Sequence, residues 1–134
     1  MAKSELASIE VAPIPDRLGQ VLRHDLLDRL TPFGEPERPR YRLEVTLSER
    51  SRELAIQQNS EATRVNLRLS ATFSLLDVNS GNEIFRGVTR SIGSYNVIDS
   101  DYANVVAAKD TARRAAREIS ENIRIQIARF LAER

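Results

Sequence analysis

Residues 62–76 alternate almost without error. Val65, Leu67, Leu69, Ala71, Phe73 and Leu75 are apolar, while Arg64, Asn66, Arg68, Ser70, Thr72 and Ser74 are polar. Successive side chains of a strand point to opposite faces, so this run makes one strand with a dry face and a wet, basic face. A sheet covered on both sides reads instead as continuous apolar runs. The pattern therefore restricts the chain to folds in which one side of a sheet stays open to solvent or to a partner.

A chain of 134 residues is the size of one domain, and residues 1–134 are expected to form a single unit with residues 1–7 as a flexible start. Apolar residues at 41% and charged residues at 29% are ordinary for a packed globule. The formal net charge of +1 gives no bulk attraction to nucleic acid or to an anionic surface, so any anion site must come from local clustering. There is no cysteine, which excludes disulfides, thiolate metal sites and a thiol nucleophile. No apolar run approaches the roughly 18 residues that suggest a membrane span. The start Met1-Ala2-Lys3-Ser4 does not read as a signal peptide. The chain is thus either cytoplasmic or one from which a leader has been removed.

A short first strand is expected over Ser8–Ile14, broken by Pro13 and Pro15 and so placed at a sheet edge. Asp16 is expected to N-cap a helix carrying Leu18, Val21, Leu22, Leu26 and Leu30 at helical spacing, ended by Thr31-Pro32. Pro32 to Pro39 is a stiff connector. Tyr41, Leu43, Val45 and Leu47 form the apolar side of a second strand. Residues 48–60 can be read either as its extension or as a loop, with Gln57-Gln58-Asn59-Ser60 resembling a turn. Asp77 to Asn82 is a strong turn signal that joins the third strand to a fourth, Glu83–Tyr95, as an antiparallel hairpin.

Which face of the fourth strand is buried follows from charge. Ile84, Val88 and Ile92 share a side with Arg86 and Arg90, and burying unpaired guanidiniums would cost several kcal/mol each. The uncharged set Phe85, Gly87, Thr89, Ser91 and Gly93 is therefore expected to face inward. A final helix, Asp101–Leu131, carries Ala108, Ala112, Ala115, Ala116, Ile119, Ile123, Ile127 and Phe130 on one stripe, small enough to pack against that small face. The expected fold is an α+β two-layer sandwich: a four-stranded mixed sheet with both helices on one face, in the order β-α-β-β-β-α.

Enzyme chemistry finds little support. His24 is the only histidine and lies beside Asp25 with no nucleophile at a recognisable spacing. Asp99 and Asp101 could offer carboxylates to a cation, but a Ser-Asp pair before a helix reads as a cap. No glycine-rich phosphate loop is present, and neither catalytic residues, a metal nor a cofactor is expected. The open sheet face is more informative. Arg64, Arg68, Arg86 and Arg90, joined by Arg42 and interleaved with Val88, Ile92 and Leu76, would suit a ligand with both phosphate and hydrocarbon. The same arginines could serve only as guards against aggregation on a solvated strand face. With few aromatic residues to stack on, nucleic acid is not the expected partner.

Several segments together resemble the lipopolysaccharide-assembly lipoproteins of Gram-negative outer membranes, the LptE type, in their alphaproteobacterial form. They are Ile9-Glu10-Val11 leading to Asp16-Arg17-Leu18; Tyr41-Arg42-Leu43-Glu44-Val45; Ala62-Thr63-Arg64; Ser94-Tyr95-Asn96-Val97 followed by Tyr102-Ala103; and the last helix with Ala107-Ala108, Asp110-Thr111-Ala112, Arg114-Ala115 and Ile123. The resemblance spans nearly the whole chain and implies a non-enzymatic role. Such proteins sit in the periplasmic end of an outer-membrane β-barrel translocon, help it assemble, and bind lipopolysaccharide. It also implies the periplasmic face of the outer membrane as location and a lipid anchor on a cysteine that this sequence does not contain. No ligand residues carry over from the family, so the five arginines rest on the strand argument alone. An auxiliary lipoprotein of a lipid-transporting ABC system shares this layout, and a small enzyme using His24, Asp99 or Asp101 is the remaining alternative.

Overall fold

A computed structural model describes residues 5–55 and 63–134. In chain order the elements are β1 (Ile9–Val11), α1 (Asp16–Leu30), β2 (Tyr41–Ala55), β3 (Thr63–Asp77), β4 (Glu83–Val97) and α2 (Asp101–Glu133). The four strands form one sheet in the order β1-β2-β3-β4, with β1 parallel to β2 and the other pairs antiparallel. This is the α+β sandwich expected from the alternation and the helical stripes.

The dry face of the sheet is built from the residues the alternation marks. Tyr41, Leu43 and Val45 of β2 and Val65, Leu67, Leu69, Ala71, Phe73 and Leu75 of β3 are buried. Most of them join Leu22, Leu26 and Leu30 of α1 and Ala112, Ala115, Ala116, Ile119, Ile123 and Ile127 of α2 in one core. Both helices cover this face, and Arg29 of α1 ties them by reaching Glu121 of α2 at 3.0 Å. Arg124 also hydrogen-bonds Glu121.

β4 turns its small residues inward, as the exclusion of buried arginine requires. Thr89 and Ser91 are buried, and polar residues of α2 meet their hydroxyls. Asn122 Nδ2 donates to Thr89 Oγ1 at 3.2 Å, and Ser91 Oγ donates to Glu118 Oε2 at 3.1 Å. Gly87 and Gly93 let the aromatic and helical neighbours close in: a Cβ built on Gly87 would lie 2.4 Å from Phe73 Cζ, and one on Gly93 2.5 Å from Thr111 Cγ2. The hairpin turn is held by Asp77, whose Oδ1 accepts from the amides of Asn79 (2.8 Å) and Ser80 (3.2 Å), with Gly81 at φ 74°.

The structure corrects two local expectations and resolves a third. β1 is shorter than Ser8–Ile14, because Pro13 and Pro15 stop the ladder, although Ala12 N still donates to Leu43 O. Asp16 does not cap α1. Pro15 occupies the cap position, no side-chain cap bond forms, and Asp16 is the first helical residue with φ 69°, a value Asp tolerates better than most residues. The open segment after Leu47 continues as strand to Ala55, paired residue for residue with β3 down to Thr63. The expected turn at Gln57–Ser60 lies outside the described residues. At the last helix Ser100 is the cap, its hydroxyl accepting from Ala103 N at 3.2 Å.

Candidate functional site

The open face of the sheet carries the even-numbered residues of β2, β3 and β4, and the register fixes their neighbours. Arg42 stands opposite Leu76, Glu44 opposite Ser74 opposite Arg86, Thr46 opposite Thr72 opposite Val88, and Ser48 opposite Ser70 opposite Arg90. Further along come Arg50, Arg68 and Ile92; then Arg52, Asn66 and Ser94; then Leu54, Arg64 and Asn96. The surface is thus a grid of arginines, hydroxyls and amides, with Val88 (53% exposed) and Ile92 (62%) standing as aliphatic islands.

Charge on this grid is sorted by position. At the end where β1 pairs, every arginine meets an acid. Arg42 Nη1 lies 3.1 Å from Glu10 and its Nε 3.5 Å from Glu44, while Arg86 Nε lies 3.3 Å from Glu83. Ser74 donates to Glu83 at 2.6 Å; that bond, with help from Arg86, holds the Glu83 carboxyl below the usual carboxylate range. The hydrogen bond that Arg42 donates to Glu10, together with the nearby Glu44, holds Arg42 above its ordinary value. At the other end the described residues of the face include Arg50, Arg52, Arg64, Arg68 and Arg90 and no acid. Among the described residues none of these five forms an ion pair, and Arg64 donates to Ser94 Oγ at 3.0 Å.

The five are contiguous. Arg50 is directly opposite Arg68, and such cross-strand pairs bring Cβ atoms within about 4.5–5.5 Å. Arg52 is diagonal to both Arg64 and Arg68, and Arg90 is diagonal to Arg68, at about 7–8 Å. Like charges placed this closely repel one another. A planar guanidinium donates paired hydrogen bonds to phosphate, so the array can take several phosphate oxygens at once, with Ser48, Ser70 and Ser94 beside it as hydroxyl partners.

Of the five residues expected from sequence, the structure brings Arg64, Arg68 and Arg90 together and sets Arg42 and Arg86 apart with acidic partners. Arg50 and Arg52 were not among those expected. The signal for them was parity: Arg42, Glu44 and Thr46 are even-numbered and outward, so a strand continuing past Leu47 puts Arg50 and Arg52 on the same side. The residues of the enzyme alternative stay apart in role. His24 sits on the exposed side of α1, 3.6 Å from Asp28, while Asp99 and Asp101 flank the capping Ser100. Among the described residues no group of three or more His, Asp or Glu could hold a metal ion.

Comparison with known proteins adds an independent line. The model of the LptE family, described as lipopolysaccharide-assembly, matches residues 6–131. No curated protein matches the chain. Among solved structures, a protein from Caulobacter crescentus described as a lipoprotein is 29% identical with a TM-score of 0.84, covering 99% of this chain and 97% of its own. A minor lipoprotein from Acinetobacter baumannii is 23% identical with a TM-score of 0.72, covering 90% of each chain. The rare lipoprotein B from Shewanella oneidensis is 13% identical with a TM-score of 0.62, covering 93% of this chain and 95% of its own. The last two share the fold alone.

Proposed function

The chain belongs to the LptE lipopolysaccharide-assembly family, and from that premise we propose that it lodges in the periplasmic end of an outer-membrane β-barrel translocon and binds lipopolysaccharide on its open sheet face. The family assigns it to lipopolysaccharide assembly, a non-enzymatic task. The lipoprotein relative from Caulobacter crescentus points to the cell envelope, and among the described residues no helix is long and apolar enough to cross a membrane. The finer reading rests on one observation: five contiguous arginines that form no ion pair among the described residues, on a face whose described acids are gathered at the far end.

A phosphorylated glycolipid supplies what this face lacks. Its phosphates would neutralise the guanidiniums, its sugar hydroxyls would meet the serine, threonine and asparagine positions, and its hydrocarbon would lie against Val88 and Ile92. The same arginines keep the exposed sheet from stacking on another sheet, so the guard role and the binding role are compatible.

The test is binding of fluorescent lipopolysaccharide to the chain carrying Arg50→Ser, Arg68→Ser and Arg90→Ser together, against Arg42→Ser with Arg86→Ser as the control. The triple variant should bind far more weakly and lose the salt sensitivity of the parent, while the control keeps both. Equal binding by parent and triple variant, with unchanged circular dichroism, overturns the assignment of this face. The barrel partner is tested by co-expression with the outer-membrane barrel of the lipopolysaccharide export machinery. Co-purification supports the reading, and separate elution refutes it.

A further inference from the structure

The exposed side of the helical layer carries a second cationic surface, across the sheet from the first. Along α2, Tyr102, Val106, Lys109, Arg113 and Arg117 recur at helical spacing and form one stripe, about 22 Å long at 1.5 Å per residue. α1 flanks only its later part. Arg17, Val21 and His24 meet Arg113 and Arg117 around a depression of about 380 Å³. Leu18 and Val21 with Ala108, Ala112 and Arg113 line a second of about 440 Å³. Past the first turn of α1, Tyr102 and Val106 with Lys109 and Arg113 line a third of about 610 Å³. All three share Arg113 and so make one groove.

Its two ends differ in character. Arg17, Lys109, Arg113 and Arg117 form no ion pair among the described residues, although Asp16, Asp25 and Glu49 also border the groove; Asp110 is taken by Arg114 at 3.2 Å. Toward the start of α2 the lining becomes hydrocarbon, and Tyr102 is 81% and Val106 47% exposed. This end is held rigidly. Asn104 accepts from Ile98 N at 2.9 Å and donates to Ile98 O at 2.8 Å, fixing the approach to the helix, and Ser100 caps it. The groove is also poor in hydroxyl and amide side chains, unlike the open sheet face, so it is built for charge and hydrocarbon rather than for sugar.

We propose that this groove binds a glycerophospholipid, with its phosphate at Arg17, Arg113 and Arg117 and an acyl chain along Ala108, Val106 and Tyr102. Arg17 of one helix and Arg113 and Arg117 of the other border the same depression, and guanidiniums take phosphate by charge and by paired hydrogen bonds. The adjoining apolar strip explains why Tyr102 and Val106 stand uncovered on an ordered helix. The site lies on other residues than the lipopolysaccharide face and goes beyond that assignment.

The experiment is calorimetric titration of the full chain with lysophosphatidylglycerol below its micelle concentration. Inorganic phosphate and lysophosphatidylcholine serve as comparison ligands. The parent should bind one lysophosphatidylglycerol saturably. Arg113→Gln with Arg117→Gln should weaken it about tenfold or more, and Val106→Asp should do the same from the hydrocarbon end. Arg68→Ser with Arg90→Ser should leave it unchanged. Circular dichroism and thermal melts establish that each variant is folded. Four results would overturn the proposal: binding untouched by the groove variants; binding lost only in the sheet-face variant; equal affinity for inorganic phosphate or for lysophosphatidylcholine; or sedimentation showing that the parent dimerises through this groove and that Val106→Asp yields monomers.

Discussion

The substitution Gly87→Ala tests how closely β4, β3 and α2 are fitted. Gly87 faces Phe73 directly across the ladder, and a methyl group there would lie 2.4 Å from Phe73 Cζ and 2.8 Å from Gln126 Oε1, where carbon atoms normally approach to about 3.5–4.0 Å. Gln126 can swing away. Phe73 cannot: it is fully buried, with its ring 6.0 Å from that of Phe85, which itself stacks on Phe130 at 4.8 Å. Overpacking of this kind costs about 1–3 kcal/mol, while replacing a strand glycine by alanine returns about 0.5–1 kcal/mol. The net expectation is a loss of about 1–2 kcal/mol. For a chain of 134 residues with an unfolding entropy near 2.1 cal/mol/K per residue, that lowers Tm by about 4–7 °C. Thermal and urea melts measure it, and Val88→Thr on the outer side of the same strand should stay within about 0.5 kcal/mol of the parent. Adding Phe73→Leu to Gly87→Ala should cost less than the two single losses combined, since the smaller side chain makes room for the methyl. A Gly87→Ala protein as stable as the parent, or more so, would refute the reasoning, because it would mean that β4 does not turn this side toward Phe73.

Other features give sharper signs than sizes. Arg68→Thr should raise stability by about 0.2–1 kcal/mol at low salt by removing the direct Arg50–Arg68 repulsion, and urea midpoints should show the gain vanish in 1 M salt. Glu121 is held below the usual carboxylate range, first by its hydrogen bonds from Arg124 and then by Arg29. Its contribution is therefore complete above the unfolded carboxylate value of about 4.3 and is lost as pH falls through the lower folded one, so in Tm measured against pH the parent should lose its advantage over Glu121→Gln on acidification. Asn104→Ala should remove both bonds to Ile98, speeding amide exchange at Ile98 with a stability loss of about 1 kcal/mol, whereas exchange in β3 stays unchanged.

Legibility in the sequence followed the presence of a dry face. β3 could be read residue by residue because helices cover its inner side along its whole length, from Val65 to Leu75. The orientation of β4 was recoverable from chemistry rather than from hydrophobicity, since only one of its two faces lacks arginine. β2 beyond Leu47 was not recoverable. Its inward positions Glu49, Ser51 and Glu53 are exposed, so both parities are polar there and alternation carries no information. That loss hid Arg50 and Arg52, which complete the cationic grid. The start of α1 failed for a different reason: an Asp beside a Pro looks the same in sequence whether it caps the helix or begins it.

β3 is paired along nearly its whole length on both sides, whereas β1 covers β2 only at Tyr41–Leu43, and it joins each neighbour through consecutive segments of chain. Its amides are therefore the ones that open last, and Arg64 and Arg68 ride on the least deformable part of the molecule. A ligand approaching that face meets a surface already in its final shape. Little ordering entropy remains to be lost on arrival, so selectivity there is set by spacing rather than by adaptation.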